Sequence, residues 1–354
     1  MPDLSIIRQR TALDDDAQFV ILTPQHAYFV ACLVQACLIE VGVTAKIIYQ
    51  EPAGGFSEVL HFVIAPQMFD RLPSFYAAFQ VEQSTSERWF SAKYIKILDS
   101  ALAVLDYSLV NLKFLQTKGL RAKQCFYLPI SPLTDMSGNE LNRNSPTSYD
   151  VLFYGDINCE RRKHMLKSLQ PKFNVKVVSG IFGQAMHQLI ASAKVIVDIH
   201  YYEQSLLETV RISECLSLGK VIVSERSVDQ QEHAHLEDIV EFVDQGDANQ
   251  MIAVIQKFLS NDDLRAKRES EIGSYVQKEK NTFKFYFLRF MLAFDLISFD
   301  QFYNVAGRHV RFESDHLCLA LPEHFQRKEA FENNSKFNFE FVTGLRHQLV
   351  VRVN

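Results

Sequence analysis

The feature that most constrains the fold is a regular alternation between short apolar runs and longer segments with helical periodicity. The apolar runs are rich in β-branched and aromatic residues. This alternation is typical of parallel sheets, because successive parallel strands are joined by a crossover that is usually a helix. It occurs over residues 1–132 and again over residues 149–262, and each stretch has the size of an ordinary domain. The sequence therefore predicts an α/β protein with two Rossmann-like, parallel-sheet domains.

In the first stretch, strand-like and helix-like segments follow one another along the chain. The predicted strands are FVILTP, TAKIIYQ, LHFVIAP, YAAFQVEQ, AVLDYSL and QCFYLPI, and the predicted helices are QHAYFVACLVQACLIEVG and NLKFLQTKG. Ser84 and Glu87 have the spacing of a capping box, in which the two side chains bond reciprocally to backbone amides at a helix start. This spacing predicts a further helix that begins at Ser84.

The second stretch repeats this pattern without being a close sequence repeat of the first. Its predicted strands are YDVLFYG, NVKVVSG, VIVDIHYY, VIVSE and IVEFVD, and its predicted helices are CERRKHMLKSLQ, FGQAMHQLIASA, LLETVRISECLSLG and ANQMIAVIQKFLSN. Asp247 stands where it can cap the last of these helices. A second open parallel sheet over residues 149–262 follows from this pattern.

The segments outside the two domains differ in composition. Residues 133–148 are polar and rich in Ser, Asn and Pro, which predicts a linker between the domains. Residues 263–312 are predicted to be helical. One helical face carries four aromatic residues, at i, i+4, i+7 and i+11: Phe283, Phe287, Phe290 and Phe294. We expect this face to pack against the sheets. The alternative, a membrane-surface helix, needs a basic polar face, which Asp295 and Asp300 dilute.

The composition excludes several classes of protein. Hydrophobic residues make up 47% of the 354 residues and charged residues 22%, as in a soluble globular protein and unlike a disordered chain. The net charge of −5 does not favour nucleic-acid binding, which relies on a positive surface. The six cysteines show no zinc-ligand spacing, and the first twenty residues show no signal-peptide core. A cytoplasmic location with at most peripheral membrane contact is expected.

Ligands of open parallel sheets bind beyond the carboxyl ends of the strands. Polar residues follow several predicted strands: Thr23–His26, Pro66–Gln67 and Glu82–Ser84 in the first domain, and Gly155–Asn158, Ser179–Gly180 and His200–Glu203 in the second. His26 is a candidate base for an acceptor hydroxyl, although a lone histidine is more often structural. Glu82 is an alternative base, and it could equally cap the next helix.

The loop that begins at Gly155 is a candidate phosphate site. A glycine lets backbone amides approach an anion, and the dipole of the following helix favours negative charge. Arg161, Arg162 and Lys163 add positive charge, although such residues also form ordinary solvated helix starts. Basic residues at a helix start oppose its dipole, which favours an anionic partner. Neither a GxGxxG nor a Walker motif is present.

Glu208, Arg211 and Glu214 are spaced three apart on a predicted helix. An intrahelical salt-bridge ladder would explain this spacing without any function. A ligand site would explain it equally well, with a carboxylate beside a ribose diol and the guanidinium on a diphosphate. The spacing alone leaves both interpretations open.

Residues 149–262 resemble the C-terminal half of the two-Rossmann, or GT-B, glycosyltransferases. The resemblance rests on DVLFYG, AKVIVDIHYYE, LLETVRISECLSLGKVIVSE and FVDQGDANQMIAVIQKFL. In many such enzymes a glutamate precedes a small-residue helix, a glycine and a short strand that ends in serine. Glu214 to Gly219, followed by VIVSE, fits that order. The resemblance implies that Glu214 contacts the ribose of a nucleotide-sugar donor.

The first domain is similar to the acceptor-side domains of bacterial surface-polysaccharide transferases. The similar segments are PQMFDRLPSFYAAFQVEQSTSERWF, AVLDYSLVNLKFLQTKG and FYLPIS, and the resemblance as a whole covers residues 18–300. Together with the strand-end positions it gives a set of candidate residues. The candidates for donor binding are Gly155, Asn158, Arg161, Arg162, His200, Tyr202, Arg211 and Glu214, and those for catalysis are His26, Glu82 and Glu208.

One position departs from the family pattern. Retaining members usually carry an acid eight residues before the ribose glutamate, and here that residue is Leu206. Glu203 and Glu208 lie on either side and could substitute, so retention and inversion both stay open. Members of the fold typically need no bound metal, and the sequence has no DxD carboxylate pair.

The tail over residues 313–354 weakly resembles the opening of a different glycosyltransferase family that acts in lipopolysaccharide synthesis. This resemblance rests on HLCLALPEHFQRKEAF and FNFEFVTGLRH. It suggests a truncated second glycosyltransferase domain. The alternative is an ordinary extension that packs as a hairpin.

Taken together, these features predict a GT-B glycosyltransferase with a helical C-terminal segment. It would transfer a sugar from a nucleotide-sugar donor, which is a substrate and not a cofactor, to a glycan or lipid-linked glycan acceptor. No resident cofactor or metal is expected. Two alternatives stay open: a sugar-nucleotide epimerase on the same fold, and a catalytically silent module that binds a nucleotide sugar or a glycan.

Overall fold

The computed structural model describes residues 18–86, 88–121, 124–134 and 147–305, and five strands between residues 309 and 352. Most of the predicted linker over residues 133–148 therefore lies outside the described residues. The chain divides into two compact units, residues 1–287 and 288–354. Among the described residues, no helix is both long enough and apolar enough to cross a bilayer.

The first α/β domain follows the predicted order of elements. Its strands are β1 (Phe19–Leu22), β2 (Ala45–Ile48), β3 (Leu60–Ile64), β4 (Tyr76–Gln80), β5 (Val104–Asp106) and β6 (Cys125–Tyr127). Its helices are α1 (Tyr28–Glu40), α2 (Ala92–Ser100) and α3 (Leu109–Thr117), with 3-10 turns at Gln25–Ala27 and Pro66–Met68. All strand pairs are parallel, in the order β2-β1-β3-β4-β5-β6.

The second α/β domain has the same topology over its five strands. These are β7 (Tyr149–Tyr154), β8 (Val175–Val178), β9 (Ala193–Asp198), β10 (Val221–Glu225) and β11 (Glu241–Val243), in the parallel order β8-β7-β9-β10-β11. Its helices are α4 (Glu160–Leu169), α5 (Gly183–Ala191), α6 (Thr209–Ser217) and α7 (Ala248–Leu259), with a 3-10 segment at Gln230–Leu236. As predicted, Asp247 caps α7, accepting a bond of 2.9 Å from the Gln250 amide.

Apolar runs form the central strands because both faces of each sheet are covered by helices. Every residue of β3, β4 and β10 is buried. Helix α1 packs against the first sheet and also contacts α6 of the second domain, so its buried residues surround most of the helix. This contact brings the two domains face to face.

Two further helices, α8 (Asp262–Glu279) and α9 (Thr282–Ala293), follow the second domain. Phe283 of α9 lies against Phe79 of β4, with ring centroids 6.3 Å apart. Phe287 lies against Phe62 of β3 at 5.3 Å. These contacts confirm that the first half of the aromatic stripe packs on a sheet, and that the chain returns to the first domain here.

The predicted helix start at Ser84 is wrong. Helix α2 begins at Ala92, and its cap is Ser91, whose hydroxyl accepts a bond of 3.3 Å from the Tyr94 amide. The Ser84 amide instead donates to Asn111 Oδ1 at 2.9 Å. A capping box needs that amide for its glutamate, so the tertiary contact overrides the local signal.

The second unit, described by itself, contains helix α10 (Phe299–Val305) and antiparallel strands. Strands β12 (His309–Ser314) and β13 (Leu317–Pro322) form a hairpin. Strands β14 (Phe325–Asn333), β15 (Lys336–Thr343) and β16 (Gln348–Arg352) form a second antiparallel sheet. Both interpretations of the tail, a truncated second domain and an extension that packs as a hairpin, stay predictions.

Candidate functional site

A cavity of about 560 Å³ lies between the two α/β domains. In each sheet the strand order reverses direction beside the first strand, between β1 and β3 and between β7 and β9. Parallel sheets of this order bind ligands at this switch point, at the carboxyl ends of the strands. Residues that line the cavity come from both switch points, including Gln25, His26, Glu82, Gly155, Asp156, Tyr201, Tyr202, Glu208, Arg211 and Glu214.

Glu82 carries the titratable carboxylate of the first-domain wall. It follows β4 by two residues, and its Oε1 accepts a hydrogen bond of 2.6 Å from Gln67 Nε2. Burial raises the pKa of Glu82 to about 7, although the bond from Gln67 and the positive charge of Arg88 oppose the shift. A carboxylate with such a pKa can accept a proton near neutral pH.

His26 lies at the other side of the same wall, on the turn after β1. Its ring meets Phe182 of the second domain edge-on, with centroids 6.1 Å apart. The side chain is exposed to the cavity, yet the walls on both sides remove enough water to lower its pKa. His26 is therefore neutral at pH 7 and can act as a proton acceptor or as a hydrogen-bond partner.

Gly155 ends β7 and forms the floor of the second-domain wall. Its φ is +144°, and a Cβ at this position would lie 3.1 Å from Arg211 Nη2 and 3.3 Å from Arg162 Nη1. Both guanidinium groups also lie over the ring of Phe153, at 5.4 Å for Arg162 and 5.9 Å for Arg211. Because Gly155 has no side chain, the two guanidinium groups can lie directly beside its backbone at the cavity.

Acidic partners hold these two arginines in place. Arg211 pairs with Asp198 and also donates to Glu208 at 2.9 Å, while Arg162 donates to Glu208 at 3.0 Å. Burial would raise the pKa of Glu208, but Arg211, His200 and Arg162 outweigh it and hold that pKa well below its usual value. Glu208 therefore stays ionised and is a poor proton acceptor. The predicted salt bridge between Glu208 and Arg211 is present, with Glu208 as the cap residue of α6.

Glu214 does not join this ladder and instead faces the cavity from α6. Its Oε2 accepts a hydrogen bond of 2.9 Å from the Tyr154 hydroxyl, and its Oε1 lies 3.0 Å from His187 Nε2. Each carboxylate oxygen can accept more than one hydrogen bond, so both retain capacity for a ligand hydroxyl.

Three of the predicted donor-binding residues do not line the cavity. Arg161 turns toward Glu225, forms a bidentate ion pair with it and donates to the His200 carbonyl at 2.9 Å. Asn158 is exposed, and its carbonyl accepts a bond of 3.0 Å from the Tyr201 hydroxyl. The His200 side chain is fully buried. The remaining predicted residues, Gly155, Arg162, Tyr202, Arg211 and Glu214, line the cavity together with His26, Glu82 and Glu208.

Leu206, which stands where retaining GT-B members usually carry an acid, does not line the cavity. Leu206 is fully buried, and its amide donates to Gln83 Oε1 of the first domain at 2.9 Å. Glu203 is exposed and lies outside the cavity lining. Glu208, on the other side, is held by the two arginines.

Asp198, His200 and Glu208 form a cluster whose possible ligand atoms lie within 4.8 Å of one another. The donor set does not fit a divalent cation, because Arg211 and Arg162 already bind the carboxylate oxygens and would lie beside the ion. Among the described residues, neither ring nitrogen of His200 has a hydrogen-bond partner, and its Nδ1 lies 3.9 Å from Glu208 Oε1. Burial lowers the pKa of His200, but the carboxylates of Glu208, Asp198 and Glu225 outweigh it and raise that pKa.

Several residues of the cavity were missed by the sequence analysis. Tyr154 is the last residue of β7, inside the predicted strand, so the rule that selects residues after strand ends did not include it. Phe182, Met186 and Arg88 line the cavity from loops and a helix that carried no motif. His187 does not line the cavity, but it contacts Glu214, and no motif marked it.

The fold was compared with those of known proteins. No family model matches the sequence, and no curated protein matches it significantly. Among solved structures, sucrose-phosphate synthase from Thermosynechococcus elongatus is similar over 79% of this chain and 100% of its own, with 12% identity and a TM-score of 0.52. The chain has the GT-B fold.

Two further GT-B structures show the same similarity. Anabaena HepE, solved in complex with UDP and glucose, matches over 77% of this chain and 99% of its own, with 10% identity and a TM-score of 0.52. WaaG, a glycosyltransferase involved in lipopolysaccharide biosynthesis, matches over 79% and 99%, with 12% identity and a TM-score of 0.52. At these identities the similarity establishes the fold, and it confirms the predicted pair of Rossmann-like domains facing a cleft.

Proposed function

We propose that this GT-B protein is a glycosyltransferase that moves a sugar from a nucleotide-sugar donor to an acceptor hydroxyl. The observation that carries the proposal is that one cavity of about 560 Å³ reaches the switch points of both sheets. One of its walls presents guanidinium groups, and the other presents a carboxylate whose pKa is raised to about 7. A group transfer between two bound substrates needs both features, because a leaving anion and an attacking hydroxyl must be stabilised at the same time.

On the second-domain side, the donor diphosphate would bind over Gly155, beside Arg162 and Arg211. A guanidinium group has several N–H donors in a fixed planar array, so each arginine can bind a phosphate oxygen and keep a carboxylate partner. Glu214 would accept hydrogen bonds from the ribose hydroxyls. As the bond between the anomeric carbon and the diphosphate breaks, the two guanidinium groups would stabilise the negative charge on the leaving oxygen.

On the first-domain side, Glu82 would act as the base. Its carboxylate would take the proton of the acceptor hydroxyl while that oxygen forms a bond to the anomeric carbon and the diphosphate leaves with the electron pair. His26 would bind the acceptor or assist the proton transfer. Because the base and the leaving-group site lie on opposite walls, this arrangement favours attack from the face opposite the diphosphate, with inversion at the anomeric carbon.

The similar solved structures support a chemical class for the donor and for the acceptor. HepE was solved with UDP and glucose, and a similar β-glucosyltransferase was solved with and without its substrate uridine diphosphoglucose. These make a UDP-sugar the first donor to test. The likeness to WaaG supports a glycan or lipid-linked glycan acceptor in surface-polysaccharide synthesis. The paired carboxylates of the second domain support a reaction without a resident metal or cofactor.

The test is incubation of the full chain with UDP-, GDP-, dTDP- and CMP-sugars, with and without glycan acceptors. Nucleotide release that depends on an acceptor is the expected result. Formation of a new sugar nucleotide without any acceptor would instead indicate an epimerase. Binding in a thermal-shift assay without turnover would indicate a silent module, and the absence of both binding and turnover would overturn the proposal.

A further inference from the structure

The loop that carries Glu82 is held by side chains and not by strand pairing. Strand β4 ends at Gln80, and residues 81–83 of the following loop line the cavity. Within this loop, Glu82 points to Gln67, and the Gln83 side chain reaches Leu206 of the second domain. The position of this loop therefore determines where the Glu82 carboxylate lies and whether the contact across the cleft forms.

Two buried amide side chains bind the backbone of this loop. Gln80 accepts a hydrogen bond from the Glu82 amide through Oε1 and donates from Nε2 to the Glu82 carbonyl at 2.9 Å. Asn111 of α3 donates from Nδ2 to the same carbonyl at 2.8 Å and accepts at Oδ1 from the Ser84 amide at 2.9 Å. Both polar groups of the Glu82 backbone are thus fixed, but only if each amide side chain keeps this orientation.

Asp106, at the end of β5, determines that orientation. Its Oδ2 accepts from Gln80 Nε2 at 2.7 Å, and its Oδ1 accepts from Asn111 Nδ2 at 3.1 Å and from the Ser108 amide at 2.8 Å. All three of these partners are N–H donors, so the Asp106 carboxyl group accepts from both amide side chains, which turn their NH2 groups toward it. Burial raises the pKa of Asp106 to about 8, and the bonds from the Ser108 amide, Gln80 and Asn111 oppose this shift. Their carbonyl oxygens must then face the amides of Glu82 and Ser84.

We propose that Asp106 is a positioning residue for the transfer reaction, which holds the Glu82 loop by fixing the orientation of Gln80 and Asn111. Asp106 is fully buried at the end of β5 and is not among the residues that line the cavity. This inference rests on the proposed function and on Glu82 as its base. It adds a residue that acts on the base through two neutral amides.

Replacement of Asp106 by asparagine would test the inference, because asparagine introduces an NH2 group that opposes one of the two amide donors. One amide would then rotate or lose its partner, and the Glu82 backbone would shift. A misplacement of a reacting group by about 1 Å costs on the order of 100-fold in rate. We expect Asp106→Asn to lower kcat by about 10- to 100-fold while the KM for the donor stays within about twofold.

A double variant separates positioning from general loss of structure. In a Glu82→Gln background the loop no longer carries a base, so Asp106→Asn should change the remaining rate by less than about twofold. Asp150→Asn is the control. Asp150 lies in β7 of the second domain and pairs there with Lys194 at 3.0 Å, so it takes no part in the hydrogen bonds that hold the Glu82 loop. It should lower stability without separating kcat from KM.

Asn111→Ala provides a second route if Asp106→Asn does not fold. It removes the bonds to the Glu82 carbonyl and the Ser84 amide but leaves Asp106 with Gln80 and the Ser108 amide. It should reproduce the loss of kcat at unchanged donor KM. If the wild type is active and these variants lower kcat equally with and without Glu82, or not at all, the inference is overturned while the proposed function stands. If the wild type transfers no sugar, both are overturned.

Discussion

The two walls of the cavity come from sheets of the same topology, but they shift the pKa of a buried carboxylate in opposite directions. In the first domain, burial raises the pKa of Glu82 to about 7, and the hydrogen bond from the neutral amide of Gln67 offsets only part of that shift. In the second domain, Glu208 is also buried but lies between Arg162 and Arg211, which hold its pKa well below the usual value. Burial alone therefore does not decide what a carboxylate can do.

The difference shows how one fold can supply two chemical roles. Burial raises the pKa of a carboxylate when its hydrogen-bond partners are neutral amides, which offset only part of the desolvation, whereas guanidinium partners reverse the shift. The first wall is suited to accept a proton, and the second is suited to present a fixed array of charges. Four substitutions test this contrast, beginning with the one for which we expect the largest effect.

Arg211→Gln should destabilise the second-domain wall of the cavity. It leaves the buried carboxylate of Asp198 and one oxygen of Glu208 without their cation, and loss of one partner of a buried pair costs about 3–5 kcal/mol. The free energy of unfolding from denaturant titration measures this loss. Arg226→Gln is the control, because Arg226 pairs with Glu237 at the surface, where such a pair contributes about 0–1 kcal/mol. Equal losses in the two variants would contradict the contrast.

Glu82→Gln should remove the base of the first wall. General-base catalysis contributes about 10²–10⁴-fold, so kcat should fall by that factor while donor affinity is retained. In the wild type, kcat should rise with pH through about 7, because the carboxylate must lose its proton before it can accept another. This acid limb should be absent from the variant.

The control for that experiment is Glu203→Gln, since Glu203 is exposed and lies outside the cavity lining. Its pH profile of kcat should match that of the wild type. If the pH profile of kcat is unchanged in Glu82→Gln, another group accepts the proton.

Glu214→Ala should weaken donor binding more than turnover, because the carboxylate faces the cavity from the wall with the fixed charges. A hydrogen bond to a charged group contributes about 1.5–3 kcal/mol, so the Kd of the donor should rise by roughly 10-fold or more. Calorimetry with the nucleotide sugar measures the change. His187→Ala removes a partner of Glu214 but keeps the carboxylate, so its effect should be smaller, and a larger one would contradict a direct ribose contact.

His26→Ala should have the smallest effect. His26 is exposed to the cavity and is neutral at pH 7 because partial burial lowers its pKa. A supporting role predicts a few-fold loss in kcat with unchanged donor Kd, measured against His164→Ala on the exposed face of α4. A loss as large as that of Glu82→Gln would instead make His26 the base.

The fold could be predicted from the sequence because the buried strands are short, mostly apolar runs that alternate with segments of helical periodicity. The cavity residues could be predicted in two ways: Gly155 and Glu82 stand just after strands, and Glu208, Arg211 and Glu214 are spaced three apart on one helix. Arg161 and Arg162 are adjacent in the sequence, yet one binds Glu225 and the other lines the cavity. Which of them faces inward depends on distant partners, the His200 carbonyl for Arg161 and the Ile199 carbonyl for Arg162, and such partners leave no local pattern. The helix start expected at Ser84 failed for the same reason, because a residue 27 positions away takes its amide.

The chain passes between the two domains at two places that contact each other. Ser131 Oγ, near the end of the first domain, accepts a bond of 3.1 Å from the Phe283 amide, where α9 returns to the first sheet. Two residues later the Leu133 amide donates to Ser217 Oγ of α6 at 2.8 Å. The two crossings are thus tied to each other at Ser131 and to α6 at Ser217, so neither can shift without disturbing a hydrogen bond at the other.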